Sequence, residues 1–158
     1  MLSKKRKTFV WIISILIALT VGFIWIHSCF PRDLSTEEST VTTNLVQRVF
    51  DAVFGEGKIY IDELVIRKIA HFSEFFALGT EFAFLLIALK RESYKSYLTL
   101  LPIGLFVGAV DETIQIFSDR GAAVTDVLLD FFGYAFAVAV FLLIFFIREK
   151  KKKLVEKE

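Results

Sequence analysis

Ionisable and amide side chains gather in two stretches of an otherwise apolar sequence, where they could bind a ligand or transfer protons. The first stretch holds Arg67, His71 and Glu74, and the second runs over residues 111–130. Charged groups at membrane depth are costly to bury and usually face the interior of a helix bundle, so they mark a functional site. The candidate ligand-binding residues are Arg67, His71, Glu74, Asp111, Glu112, Gln115, Arg120, Asp126 and Asp130.

The chemistry of these residues leaves several interpretations open. A histidine beside a carboxylate can act as a general acid–base pair, and the candidates are His71, Glu74 and Asp126. The catalytic residue stays unknown because no nucleophile can be assigned. The same three residues could hold a hard cation, but only one histidine is available, so we expect no metal and no cofactor. Hydrogen bonds that only fasten helices need fewer groups than this, so we favour a solvated cavity with a ligand.

The composition indicates an integral membrane protein with one domain over residues 1–158. Of 158 residues, 55% are hydrophobic, the mean hydropathy is +0.59, and the charges cluster between long uncharged runs. A single cysteine, Cys29, excludes an intramolecular disulfide framework and a cysteine-based zinc site. We expect membrane lipids as partners and no nucleic acid, and the oligomeric state stays open.

Four apolar runs predict an all-α bundle of four transmembrane helices, since each reaches about 18 residues or more. A short amphipathic helix is predicted in the first extracytoplasmic loop, with Leu45, Val49 and Val53 on one face. It would lie on the membrane surface or cap the bundle; packing of that face on the protein itself is an equal alternative. The predicted spans are 9–29, 66–89, 97–117 and 127–147, and the amphipathic helix covers 43–54.

Lysine and arginine are concentrated at both termini and between the second and third spans. Residues 4–7, 90–95 and 148–157 carry these runs. The positive-inside rule then places both termini in the cytoplasm of a bacterial cell, with the protein in the cytoplasmic membrane. The two polar stretches consequently both lie at the outer face.

Helical periodicity aligns the polar residues of each span. One stripe of the second span carries Arg67, His71, Glu74 and Glu81. A stripe of the third span carries Asp111 and Gln115, and a stripe of the fourth span carries Asp126 and Asp130. Turned inward, the stripes would line a polar pocket open to the outside. Glu81 lies deeper, where a hydrogen bond to a neighbouring helix is preferred to a step in a proton path. Glycines on these faces allow close helix packing, namely Gly104, Gly108 and Gly133.

The motifs resemble those of the VanZ-like family of bacterial membrane proteins. That pattern has a basic pair before a histidine and an acidic residue, then D-E-x-x-Q-x-F, a loop arginine, and D-x-x-x-N-x-x-G at the last span. One position departs from it, because Asp130 stands where the family usually has asparagine. The matching residues are Arg67, Lys68, His71, Glu74, Asp111, Glu112, Gln115, Phe117, Arg120, Asp126 and Gly133.

The resemblance implies a link to glycopeptide and lipoglycopeptide resistance, teicoplanin above all, in Gram-positive bacteria. The protein would bind or modify an envelope component or the antibiotic, with Arg67 and Arg120 holding an anionic group. Its acidic residues would take cationic or hydroxyl-bearing parts, and His71 would handle protons. One alternative is a membrane enzyme acting on lipid-linked cell-wall precursors. The other is a non-catalytic structural or partner-binding subunit.

Overall fold

The computed structural model describes residues 3–118 and 123–156, except for the side chains of residues 32–36 and 38. All regular elements in these two ranges are helices, which agrees with the predicted all-α class. They are α1 (Lys4–Ser28), α2 (Arg32–Phe54), α3 (Glu63–Leu89), α4 (Tyr94–Leu98), α5 (Leu101–Phe117) and α6 (Val124–Val155).

Four segments are long and apolar enough to cross a membrane, so the prediction of a four-span membrane bundle is confirmed. They are α1, α3, α6, and α4 together with α5. The most extensive contact joins α3 to α6, and α1 and α5 each pack against this pair. Large apolar side chains stay exposed on the outer faces of the spans, including Trp11, Phe106 and Phe132. These faces suit contact with lipid, because a bilayer solvates apolar groups.

The beginning of α1 and the region after α3 meet at one end of the bundle. Arg6 donates from Nε to the carbonyl of Ala88 at 2.6 Å and from a terminal nitrogen to the carbonyl of Ile87 at 3.0 Å. These carbonyls belong to the last turn of α3, and the C-terminus of a helix favours a cation. On α6, Arg148 lies 4.0 Å from Glu92 in the connection after α3. Both basic ends of the chain therefore lie at the same end of the bundle.

The predicted third span is divided in two at a proline. The predicted span 97–117 contains a break between α4, which ends at Leu98, and α5, which starts at Leu101. Pro102 has no backbone N–H to donate to the carbonyl of Leu98, and its ring collides with that carbonyl in a continuous helix. A short helix and a turn therefore precede the spanning part of α5.

The other predicted spans overlap α1, α3 and α6. Asp62 caps α3, because its carboxylate accepts from the backbone nitrogen of Leu64 at 2.9 Å. The helix predicted over 127–147 continues to Val155. The basic run after Ile147 continues the helix because lysine and arginine are good helix formers and favour a helix C-terminus.

The amphipathic helix begins earlier than its predicted bound of residue 43, because α2 starts at Arg32. Its polar face is fixed to the connection before α3: Gln47 donates to the carbonyl of Ile59 at 2.7 Å and accepts from the backbone nitrogen of Ile61 at 3.0 Å. Its apolar face is open, with Leu45 63% and Val53 68% exposed. Of the two alternatives, this arrangement favours an apolar face turned to the membrane surface.

Small residues allow the spanning helices to approach closely. A Cβ atom on Gly133 would collide with the backbone carbonyl of Phe72 on α3, and one on Gly104 would collide with the Tyr134 ring. Gly79 makes a similar approach, since its Cβ would lie 2.6 Å from the carbonyl oxygen of Tyr134. Gly108 has only ordinary contact, with the Cβ of Asp130 at 3.4 Å. Predicted packing roles thus fit Gly104 and Gly133 most strongly.

Candidate functional site

A group of buried polar side chains joins four helices near the end of the bundle opposite the chain termini. Asp111 and Gln115 on α5 are fully buried, and so is Asp130 on α6, while His71 on α3 is 8% exposed. We call these four residues, together with Ser28 and Glu112, the polar cluster. At 1.5 Å per residue, Asp111 and Asp130 lie about 9 Å, and His71 about 12 Å, along the axis from the nearest end of their helix. The helices therefore bring the predicted polar stripes to one level.

One side of the polar cluster is a connected hydrogen-bond network centred on Asp111. The hydroxyl of Ser28 donates to its Oδ1, and the Nε2 atom of Gln115 donates to its Oδ2 at 2.9 Å. Arg67 on α3 donates to the Oε1 atom of Gln115 at 3.4 Å. This network links α1, α3 and α5 and satisfies both carboxylate oxygens. It can fasten the three helices, as interhelical polar contacts do.

The other side of the polar cluster contains a carboxylate without a hydrogen bond. The Nδ1 atom of His71 lies 3.5 Å from the Oδ1 atom of Asp130. Within the described ranges, neither oxygen of Asp130 nor the Nδ1 atom of His71 has a hydrogen-bond partner. Most buried polar groups in proteins are hydrogen-bonded, and an exception calls for an explanation such as a bound water or ion. This pair is therefore the part of the cluster that keeps hydrogen-bonding capacity unused within the described residues.

Glu112 connects the polar cluster to the beginning of α6. Its Oε2 atom accepts from the backbone nitrogen of Ala123 at 3.2 Å, next to the first turn of the helix. Its Oε1 atom is buried and has no hydrogen-bond partner in residues 3–118 and 123–156. Glu112 thus positions the end of α6 and leaves one acceptor directed into the protein.

The remaining predicted site residues lie at the edge of the polar cluster or outside the described residues. Glu74 and Asp126 are half-buried, and their charges act on the cluster, Glu74 on His71 and Asp126 on Glu112. Arg120 falls outside the described residues. Ligand binding by any of these side chains stays a prediction.

The structure differs from the sequence interpretation in one respect. The side chains of Asp111, Gln115 and Asp130 are enclosed by protein and do not line a pocket open to the outside. Glu81 does not join the cluster, because its Oε1 atom accepts from the hydroxyl of Thr20 on α1 at 2.8 Å. This agrees with the preferred interpretation of Glu81 as an interhelical contact.

Sequence reasoning missed one member of the polar cluster, Ser28, and one buried polar side chain outside it, Tyr134. Ser28 was not identified because it ends the first apolar run, and a serine there gives no periodic signal. Tyr134 was missed because tyrosine in an apolar span is typical of packing. It is fully buried against Gly104, with its hydroxyl lacking a partner in the described part of the chain. Tyr134 follows Gly133 and lies one helical turn from Asp130, which was the available signal.

The arrangement can support three kinds of chemistry. The Asp111 network provides mechanical fastening, and the His71–Asp130 pair provides a proton acceptor beside a carboxylate. The same pair, with a neighbouring oxygen of Asp111, can also hold a polar ligand or a cation, because imidazole nitrogen and carboxylate oxygen are common ligands.

Comparison with known protein families gave a match. A family model described as VanZ/LLP1 matches residues 9–146, a range that includes most of α1 and α6, all of α3, α4 and α5, and every residue of the polar cluster. No curated protein and no solved structure matches the chain significantly.

Proposed function

The chain belongs to the VanZ/LLP1 family, and from this premise we propose that it binds a polar group of an envelope component, or of a lipid-tailed glycopeptide, at the outer leaflet. The family membership predicted from the motifs is confirmed by the match over residues 9–146. The binding residues in this proposal are those of the polar cluster together with Arg67, Glu74, Arg120 and Asp126.

The single observation that carries the proposal is the buried carboxylate of Asp130, whose two oxygens accept no hydrogen bond from the described residues. It is 0% exposed and receives no hydrogen bond from the described residues, although His71 lies 3.5 Å away. An unsatisfied buried carboxylate destabilises a fold, so its presence is better explained by a partner it binds than by helix fastening.

The neighbouring groups give the site a polarity suited to headgroup chemistry. Arg67 and, in our proposal, Arg120 would face an anionic phosphate or carboxylate, which arginine's planar fork binds in a bidentate manner. Asp111, Glu112 and Asp126 would receive cationic or hydroxyl-bearing parts. A lipid tail would lie along the exposed apolar faces of the spans. Ligand entry requires the helices to separate at this end, since the cluster is enclosed.

A second candidate function is an enzyme that acts on lipid-linked cell-wall precursors. The observation that favours it is the proximity of His71 to Asp130, because a histidine beside a carboxylate can act as a general base or acid. Turnover of a defined precursor by the purified protein would distinguish this candidate from binding alone.

The proposal is tested by resistance and binding together. The chain and its variants His71→Ala and Asp126→Asn are expressed in a teicoplanin-susceptible Gram-positive host, with Glu81→Gln as the control. Glu81 is a buried carboxyl residue on the same helix as His71, but it contacts Thr20 and lies outside the cluster. Immunoblots of the membrane fraction check that all forms are present in equal amounts.

We expect the parent and Glu81→Gln to raise the inhibitory concentration of teicoplanin and the two cluster variants to lose this effect. In detergent, purified parent should bind teicoplanin or an undecaprenyl-linked wall precursor, with affinity about tenfold or more weaker in His71→Ala. Parent protein that neither raises resistance nor binds either probe would refute the proposal. Equal losses in Glu81→Gln would also refute it, because the effect would not be specific to the cluster.

A further inference from the structure

Three buried side chains of the polar cluster bring potential metal-ligand atoms together. His71, Asp111 and Asp130 each offer one atom, and these three atoms lie within 4.8 Å of one another. They come from α3, α5 and α6, which are far apart in the sequence. We propose that His71, Asp111 and Asp130 form a binding site for a divalent transition-metal cation of the Zn²⁺ or Mn²⁺ class, which neither the sequence interpretation nor the family match assigns.

The donor set suits this class of cation. Imidazole nitrogen is a ligand for Zn²⁺ and its neighbours, and carboxylate oxygen is shared by Zn²⁺ and Mn²⁺. Bonds of about 2.0–2.2 Å place the ligand atoms of a tetrahedral site about 3.4 Å apart. The Nδ1 atom of His71 and the Oδ1 atom of Asp130 already lie 3.5 Å apart. The ligand atom of Asp111 lies within 4.8 Å of the other two, so an inward movement of up to about 1.4 Å completes this geometry.

Asp130 supplies the independent observation that points to a ligand. A cluster of acidic residues alone would not indicate a metal, since such groups often pair with donors. Asp130 is fully buried, with both oxygens lacking a hydrogen bond from the described residues, and it faces the imidazole of His71. The Nδ1 atom of that imidazole also lacks a hydrogen-bond partner there. A cation between them would satisfy both side chains at once.

The hydrogen-bond network around Asp111 would hold that residue in position as a ligand. Ser28 and Gln115 each donate to one of its carboxylate oxygens, and each oxygen retains a second lone pair for a metal. Donors of this kind outside the ligand shell fix the orientation of ligating carboxylates, and their loss typically costs about 10–100-fold in metal affinity. The network would therefore serve both helix fastening and metal binding.

The charge balance also favours a divalent cation. Asp111 and Asp130 together carry two negative charges when ionised, whereas a protonated His71 supplies only one positive charge. Arg67 is directed to the amide oxygen of Gln115. A cation with two charges neutralises both carboxylates at a depth where uncompensated charge is costly.

The role of the cation rests on the function proposed above, because a bound metal would attract the phosphate or carboxylate of an envelope component. Metal binding itself needs no envelope component. If the protein binds metal but neither raises teicoplanin resistance nor binds teicoplanin or the wall precursor, the metal site stands and the proposed function is refuted. If the protein confers resistance that depends on His71 but binds no metal, the proposed function stands and the metal site is refuted.

The experiment measures metal binding by tag-free, full-length protein in detergent after treatment with a chelator. The protein is incubated with Zn²⁺ or Mn²⁺, desalted, and assayed for metal per chain by mass spectrometry; affinity is measured by calorimetry. We expect one ion per chain and a melting temperature that rises with free metal, because the ion binds the folded state. Asp130→Asn and His71→Gln should each weaken binding by about tenfold or more, and Ser28→Ala should weaken it by about tenfold.

Glu81→Gln is the matched control and should bind metal like the parent, since Glu81 is a buried carboxyl residue of α3 held by Thr20. The proposal is overturned if the parent retains far less than one equivalent of either metal. It is also overturned if a folded Asp130→Asn protein binds with the parent's affinity, because the metal would then lie elsewhere. The parent's stoichiometry decides the matter even where a variant fails to fold.

Discussion

The imidazole of His71 on α3 and the carboxylate of Asp130 on α6 lie 3.5 Å apart, close enough to attract but outside a hydrogen bond. Asp111 in the same cluster is equally buried, yet both of its oxygens accept hydrogen bonds. Two carboxylates at one level of the bundle therefore differ in how they are satisfied. This difference distinguishes Asp111, which is held in a hydrogen-bond network that joins helices, from Asp130, whose two oxygens stay available for a ligand.

Gly133→Ala should destabilise the protein, because the added methyl group would meet the backbone carbonyl of Phe72, which cannot move independently of α3. Overpacking of this kind costs about 1–3 kcal/mol. Gly22→Ala is the control, because no atom lies within 4 Å of the added Cβ. Thermal unfolding in detergent compares the two, and equal melting temperatures would show that α3 and α6 do not pack as closely as described.

Thr20→Val should weaken the contact between α1 and α3. It removes the donor to the Oε1 atom of Glu81, and interhelical hydrogen bonds in membranes average about 0.6 kcal/mol with a maximum near 1.7 kcal/mol. The control is Thr113→Val, because the Thr113 hydroxyl donates to the carbonyl of Ala109 within its own helix. Chemical denaturation should give a loss for Thr20→Val alone, and a similar loss in both variants would contradict the assigned contact.

Cysteine labelling tests the predicted orientation. In a Cys29→Ser background, Glu56→Cys should react with a membrane-impermeant thiol reagent on intact cells, and Lys95→Cys should react only after lysis. The reason is the excess of lysine and arginine at the chain ends and near Lys95, which the positive-inside rule places in the cytoplasm. Labelling of Lys95→Cys on intact cells would reverse the orientation and place the polar cluster at the inner face.

Much of the fold could be predicted because apolar run length and charge position are local properties. The four spans follow from the runs alone, and the stripe containing His71 follows from helical spacing. The break before α5 could also have been predicted, since Pro102 prevents a continuous helix. The start of α2 at Arg32 could not, because a polar helix without an apolar stripe shows no periodicity over that stretch.

The hydrogen-bond partners of the site residues on other helices could not be predicted from the sequence. Periodicity aligns Asp111 with Gln115, but it does not say that Ser28 on α1 completes their network. It also placed Glu81 on the same stripe as His71, although the rotation of α3 against α1 directs Glu81 to Thr20. These contacts depend on how helices pack around small residues such as Gly79. A glycine in the sequence does not show which helix will pack against it.

Removal of the charge should lower the stability of the protein at Asp111 and should not lower it at Asp130. Asp111→Asn turns one acceptor into a donor that faces Ser28 or Gln115, and an unsatisfied buried group costs about 1–3 kcal/mol. Asp130→Asn loses no hydrogen bond seen in the described residues and removes a buried charge. It also restores the asparagine typical of the VanZ-like pattern.

The most direct measurement is the unfolding of parent, Asp111→Asn and Asp130→Asn in detergent with a chelator present. We predict that Asp111→Asn melts clearly below the parent, while Asp130→Asn melts at or above it. If Asp130→Asn is destabilised as much as Asp111→Asn, both carboxylates serve to hold the helices together. A ligand site built around His71 and Asp130 would then be contradicted.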